Sequence, residues 1–270
     1  MFTDRDPRMA ETIMYPGFIN EGDNSTLPTK IVLDYGGLGQ IKFLPRTDAT
    51  YGGWGENITD LPIIRYAEIL LINAEAKAEL GILTQNDLNA TVNLLRSRVE
   101  MPEMTINVPI DPALEALYPS VSGALKNVIL EIRRERRVEL VFEGFRFDDL
   151  MRWKAGNCWK GTGRTLFSGI GQIDLTGDGI EDIYLIPSDA NIPAEADKET
   201  NSLGEKLVYY RTGSIDDVNA TVYLREGTKG NILTIKDMGT FQEPKYYYRP
   251  VPKHEMDLNP NLGPQLFGWE

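Results

Sequence analysis

Ile132-Arg133-Arg134-Glu135-Arg136-Arg137-Val138-Glu139-Leu140-Val141-Phe142-Glu143-Gly144-Phe145-Arg146-Phe147-Asp148-Asp149-Leu150-Met151-Arg152-Trp153 is the stretch on which the fold reading turns. An apolar stripe at helical spacing enters it from near Ser122 through Leu125, Ile129 and Ile132, and continues through Val138, Val141 and Phe142. Gly144 is expected to break that helix, and residues 145–154 to add a last turn or a short second helix. The other side is crowded with charge: Glu131, Arg133, Arg134, Glu135, Arg136, Arg137, Glu139 and Glu143. Glu131 with Glu135, Glu135 with Glu139, and Arg133 with Arg137 are like-charged neighbours four residues apart. Attractive neighbours such as Glu131 with Arg134 and Arg136 with Glu139 offset this by only about 0.2–0.5 kcal/mol each. Such a helix is better explained if part of its charge pairs with other elements than if all of it faces water.

Upstream, Asp60 and Pro62 mark a helix start, and Ile63, Ala67, Leu70, Leu71, Ala74 and Ala78 recur at three- and four-residue steps down to Leu80. Gly81 supplies the stop. A second helix follows residues 84–87, with Leu88, Val92, Leu95 and Val99 on one stripe, and ends before Pro102, so the two make an αα-hairpin. Residues 101–121 read as a proline-containing linker. Residues 1–60 read as turns and loops with a short strand at 30–33, because prolines and glycines recur, including Gly36-Gly37-Leu38-Gly39 and Gly52-Gly53-Trp54-Gly55. After Gly156, β-like runs fall at 183–186, 207–210, 222–224 and 246–248 with Val251, before a proline-rich tail.

The 270 residues carry 40 Asp and Glu against 28 Lys and Arg, a formal charge of -12 that argues against a nucleic-acid binder. One Cys excludes an internal disulfide and a Cys-rich zinc site, and one His excludes His-pair metal motifs. No run approaches the roughly 20 apolar residues of a spanning helix, and Met1-Phe2-Thr3-Asp4-Arg5-Asp6-Pro7-Arg8 has no apolar stretch of the secretory-signal kind. Taken alone, that composition describes a soluble protein of a reducing compartment.

Asp174-Leu175-Thr176-Gly177-Asp178-Gly179-Ile180-Glu181-Asp182 has oxygen side chains at alternate positions and a glycine after the third, the spacing of a calcium loop. Asp174, Thr176, Asp178 and Asp182 would donate side-chain oxygens and Ile180 its carbonyl, making Ca2+ the one candidate cofactor. Leu185 stands where an EF-hand has its bidentate Glu, and the alternative is an Asx-rich hairpin turn without metal. Catalytic machinery is not visible. Nothing selects a glycosidase pair from 40 acids, Glu139 and Glu143 sit where ion pairing is the ordinary role, and no Gly-x-Ser-x-Gly elbow exists to partner His254. The glycines at 36–39 lack the Gly-Lys-Ser/Thr of a phosphate loop, and Cys158 beside Trp159 reads as a packed thiol. Tyr35, Tyr51 and Trp54, set among glycines, are the candidate ligand-binding residues, as rings on which a sugar could stack; the alternative is that they pack onto the chain's own core.

Several segments together resemble the SusD/RagB outer-membrane nutrient-binding lipoproteins of Bacteroidetes. They are Asp6-Pro7-Arg8-Met9 with Pro16-Gly17, Arg65-Tyr66-Ala67-Glu68, Leu94-Leu95-Arg96-Ser97-Arg98, the stretch 132–153, Tyr248-Arg249-Pro250-Val251-Pro252, Asn259-Pro260-Asn261-Leu262 and Gln265, in family order. Arg249 departs from the apolar residue usual at its position. The resemblance implies a mainly α fold, a TPR-like α-α superhelix with irregular loops and short β-strands. Residues 1–270 would be the family's C-terminal region: a loop-rich segment at 1–60, TPR-like helices at 61–155, and a loop- and β-rich segment with closing tail at 156–270, the N-terminal TPR half and lipoprotein signal being absent. It further implies non-catalytic capture of glycans for import, beside a SusC-like TonB-dependent transporter, on the extracellular face of the outer membrane. The membrane would be reached only through a lipid anchor outside this chain. The alternative is a peptide-binding or purely protein-docking module. The motifs themselves are expected to be architectural, since the family's ligand residues vary and lie in loops.

Overall fold

A computed structural model describes residues 4–15, 17–20, 27, 29, 33, 39–44, 60–160, 167–175, 177–233 and 240–269. The chain divides into two compact units, Met1–Ile63 with Thr162–Asp237, and Ile64–Gly161 with Met238–Glu270.

The first unit holds the short helix α1 (Arg8–Thr12) and a six-stranded sheet made of β1 (Phe167–Gly169), β2 (Gly171–Ile173), β3 (Ile183–Pro187), β4 (Val208–Gly213), β5 (Val222–Leu224) and β6 (Lys229–Leu233), in the order β1-β6-β5-β4-β3-β2. β3 runs parallel to β4 and β4 to β5, while the other pairs are antiparallel. Ile170 alone separates β1 from β2, yet they stand at opposite ends of the strand order, so the sheet curls until it is nearly closed. Ile183, Leu185, Tyr210, Val222, Leu224 and Ile232 fill its core, and Leu33 joins them, its backbone N–H donating to the Tyr210 hydroxyl at 3.2 Å.

This sheet overturns the mainly α expectation. The runs at 183–186 and 222–224 are strands and 207–210 overlaps β4. Their assembly was hidden because strands of three to six residues carry little period-2 signal, and partners such as β1 and β6 lie far apart in sequence. Residues 246–248, expected to be extended, instead belong largely to a 3-10 turn at Lys245–Tyr247. Of the strand expected at 30–33 only Leu33 is described, and it lies in a 3-10 turn.

The second unit is helical: α2 (Tyr66–Glu79), α3 (Gln85–Asn89), α4 (Val92–Arg98), α5 (Pro112–Leu117), α6 (Lys126–Glu139), α7 (Phe145–Arg152) and α8 (Lys253–Leu258). Ala67, Leu70, Leu71, Ala74 and Ala78 are buried, and α2 packs chiefly on α6, whose Val128, Ile129 and Ile132 meet the same core. The expected helix start near Pro62 is late by a few residues; Arg65 is the N-cap, and Ile63 is 92% exposed instead of facing the core. The second arm of the hairpin breaks at Ala90 and Thr91 into α3, which opens with a Thr84–Asp87 capping box, and α4. Within the expected linker stands α5, and its signal was legible: Asp111 accepts from the N–H groups of Ala113 and Leu114, and Pro112 follows as the first helical residue. α6 ends at Glu139, five residues before the expected break, so Val141 and Phe142 lie outside it, and Gly144 is instead the N-cap of α7, at φ +87°, where a side chain is strained.

Candidate functional site

The charged stripe of α6 finds its partners on other helices. Glu139, whose side chain is 1% exposed, accepts from Arg65 Nη2 at 3.0 Å and from Arg98 Nη2 at 2.8 Å. Glu143 takes Arg65 Nε at 2.9 Å and Nη2 at 2.8 Å, a fork-on-fork pair, and Glu135 takes Arg96 Nη1 at 2.9 Å. The Glu143 carboxylate holds the Arg65 guanidinium above its usual range, against burial. Arg133 donates to Glu79 at 3.1 Å and lies over the rings of Trp153 and Tyr118, 4.6 and 5.3 Å from their centroids. Burial pushes that guanidinium down. The like-charged neighbours Glu135 and Glu139 are therefore answered by arginines of α4 and of the α2 N-cap, which is how so charged a helix becomes a core element.

A second knot ties α7 to α2. Arg136 Nε reaches both Asp149 oxygens at 2.8 Å, and Arg152 donates to Asp149 at 2.8 Å and to Glu75 Oε2 at 2.7 Å. Trp153 Nε1 donates to Glu75 Oε1 at 2.5 Å. Burial would push the Glu75 carboxyl up, but the Arg152 and Trp153 donors hold it below its ordinary range. Next to this knot, a cavity of about 480 Å³ opens between α5, the end of α6 and α7, with Arg136, Arg137, Phe142, Phe145, Arg146 and Cys158 among its lining residues. Burial pushes the Cys158 thiol up while Arg146, Arg137 and Arg133 pull the other way, and the thiol donates to the Leu117 carbonyl at 3.5 Å. Nothing in the sequence singled out this cavity, because Arg137 read there as one more charge of a run expected to pair in part with other elements, and Arg146 was not set apart.

The closing motif is structural. Gln265 joins both backbone groups of Val251, its Nε2 donating to the carbonyl at 2.6 Å and its Oε1 accepting from the N–H at 3.0 Å. Trp269 Nε1 donates to the carbonyls of Lys245 and Tyr248, at 3.1 and 2.9 Å. His254 is exposed on α8.

In the first unit the acidic loop joins β2 to β3. Asp174 accepts from the N–H groups of Gly177 at 2.5 Å and Gly179 at 2.7 Å, Asp178 from Ile180 at 2.9 Å, and buried Asp182 from Leu175 at 2.8 Å. These are the hydrogen bonds of an Asx turn. Thr176 lies outside the described residues, and among the described residues no group of three or more acidic, His or Cys side chains is set to hold a metal ion. Tyr35, Tyr51 and Trp54 also lie outside the described residues.

The SusD family model matches residues 1–269. The chain belongs to the SusD family. SusD-like protein P2 of Formosa agariphila is 36% identical over 102 residues, covering 38% of this chain and 18% of that protein. A SusD-like protein of Bacteroides fragilis shares the fold, with a TM-score of 0.55 at 22% identity, over 99% of this chain and 40% of its own. A SusD-like carbohydrate-binding protein of the same organism gives 0.50 at 25% identity, over 97% and 42%. This SusD-family chain thus spans about two fifths of the length of those solved structures. Among its described residues no helix is long and apolar enough to cross a membrane.

Proposed function

We propose that the chain belongs to a non-catalytic, glycan-binding surface protein that works beside a SusC-like TonB-dependent transporter at the extracellular face of the outer membrane. The observation that carries the reading is membership of the SusD family over residues 1–269, with a carbohydrate-binding relative among the folds it resembles. The acid-rich core fits a binder better than a hydrolase, because Glu75, Glu135, Glu139, Glu143 and Asp149 are each held by arginine and none is left as a general acid. Tyr35, Tyr51 and Trp54 supply sugar-stacking rings, and the Asp174–Asp182 loop, with or without Ca2+, is a structural turn. Calorimetry against a panel of neutral and acidic oligosaccharides tests the reading. Sugar binding that weakens about three- to tenfold in Trp54→Ala, the scale of one lost aromatic contact, is the expected result; peptide binding with no sugar binding overturns it. Co-purification with the neighbouring transporter from outer membranes checks the partner.

A further inference from the structure

The cavity beside α7 has three arginines and one aspartate among its lining residues, in a protein whose formal charge is -12. Asp149 has nothing to spare for the excess. Both its oxygens accept from Arg136 Nε, and Arg152 donates to it as well. Among the described residues Arg137 has no carboxylate partner, and Arg146 reaches the Tyr118 hydroxyl at 3.0 Å but no carboxylate. Arg136 is 5% exposed, and its Nη1 is buried without a hydrogen-bond partner, a cost that the Asp149 pair does not cover. α7 also begins at this cavity, on Gly144, with no side chain capping its first turn, and a helix start favours negative charge. The remaining wall is apolar, with Phe142 44% exposed and Phe145 half-buried.

Unanswered guanidiniums beside aromatic rings match one chemistry: an anionic group on a body with a flat C–H face. We infer that this cavity is a subsite for an acidic sugar, in which Arg137 and Arg146 hold a ring carboxylate or sulfate ester while Phe142 and Phe145 flank the ring. The inference rests on the glycan-binding reading above and deepens it. The volume of about 480 Å³ suits one or two sugar units, so the subsite grips a charged position along a longer chain.

Trigalacturonate, a sulfated carrageenan tetrasaccharide and neutral maltotriose are titrated by calorimetry into the chain and into its Arg137→Met/Arg146→Met and Arg137→Lys/Arg146→Lys variants. Binding of at least one acidic sugar, weakened about tenfold or more in the methionine variant and less in the lysine variant, is expected, since charge-assisted hydrogen bonds are lost. Cys158 gives a second readout in the unaltered chain, where the same acidic sugar slows its alkylation by neutral iodoacetamide and inorganic sulfate at equal concentration does not. Acidic-sugar affinity unchanged in the methionine variant overturns the subsite, as does an alkylation rate indifferent to the sugar. Equal protection by sulfate reduces it to a simple anion hole and overturns the sugar assignment. If maltotriose binds and neither acidic sugar does, the subsite falls and the glycan-binding reading stands; if no sugar binds, that reading falls with it.

Discussion

Glu75 is 5% exposed on α2, between the guanidinium of Arg152 and the indole N–H of Trp153. Its carboxyl titrates below the ordinary 4.5 because those donors outweigh burial. An acid with a lowered folded pKa stabilises the fold fully above its unfolded value, and that stability is lost as pH falls through the folded value. We therefore expect Glu75→Gln to cost about 1–3 kcal/mol at neutral pH, as a charged partner is withdrawn from buried donors, and to flatten the loss of stability below pH 4.5. Urea unfolding of both proteins across the acid range measures it, and parallel profiles would count against the assignment. Neither the partners nor the shift was legible at this scale. The sequence places Glu75 on a helix, but Trp153 and Arg152 lie more than seventy residues on, and only packing of α7 against α2 brings them together.

At the scale of elements, Gly144 and the acidic loop each carry a prediction. An added Cβ at Gly144 would meet nothing within 4 Å, so its φ of +87° is the sole obstacle to a side chain. Gly144→Ala is expected to cost about 1–2 kcal/mol and Gly144→Asn less, because asparagine tolerates the left-handed region, with chemical denaturation as the check. In the β2–β3 hairpin the turn is closed by its own N–H groups, so the melting temperature is expected to be the same in calcium and in EDTA. A rise with calcium would restore the ion to the loop. Asp182→Ala, by contrast, strips the buried Leu175 N–H of its acceptor and should lower stability by about 1–3 kcal/mol in either buffer. The short helix after Gly144 was readable in advance, and the Asp111-Pro112 start of α5 was legible though unread, because glycine, proline and Asx signals act within a few residues. The late start of α2 was not, since it depends on Arg65 being drawn to Glu139 and Glu143.

At the scale of the molecule, the chain leaves the helical unit at Gly161 and returns to it at Met238. The returning segment docks on Gly156, where a Cβ would stand 2.1 Å from the Phe241 ring and where the backbone N–H donates to the Tyr247 hydroxyl at 2.9 Å. Burial, together with the Glu243 carboxylate at 2.6 Å, pushes that hydroxyl up to about 12, so it remains a proton donor throughout the neutral range. Gly156→Val is expected to loosen the tail and speed tryptic cleavage after Lys245, read by mass spectrometry, while far-UV circular dichroism changes little. Cleavage at the original rate would mean that the tail is held elsewhere.

What the sequence determined by itself is local or carried in linear motifs: the helical hairpin, the short helix after Gly144, the strands at 183–186 and 222–224, and the family resemblance. What the tertiary structure decided is everything that depends on distant partners. The six strands close into one sheet through pairs such as Phe167 with Asn231, so a chain whose strongest periodicity is helical is not mainly α. The charges of residues 135–146 sort in the same way. Glu135, Glu139 and Glu143 become core ion pairs, whereas Arg137 and Arg146 are left facing a cavity. Periodicity reports which side of an element is apolar, but a charge acquires its role from whatever lies within a few ångströms of it, and that is set only when the elements pack.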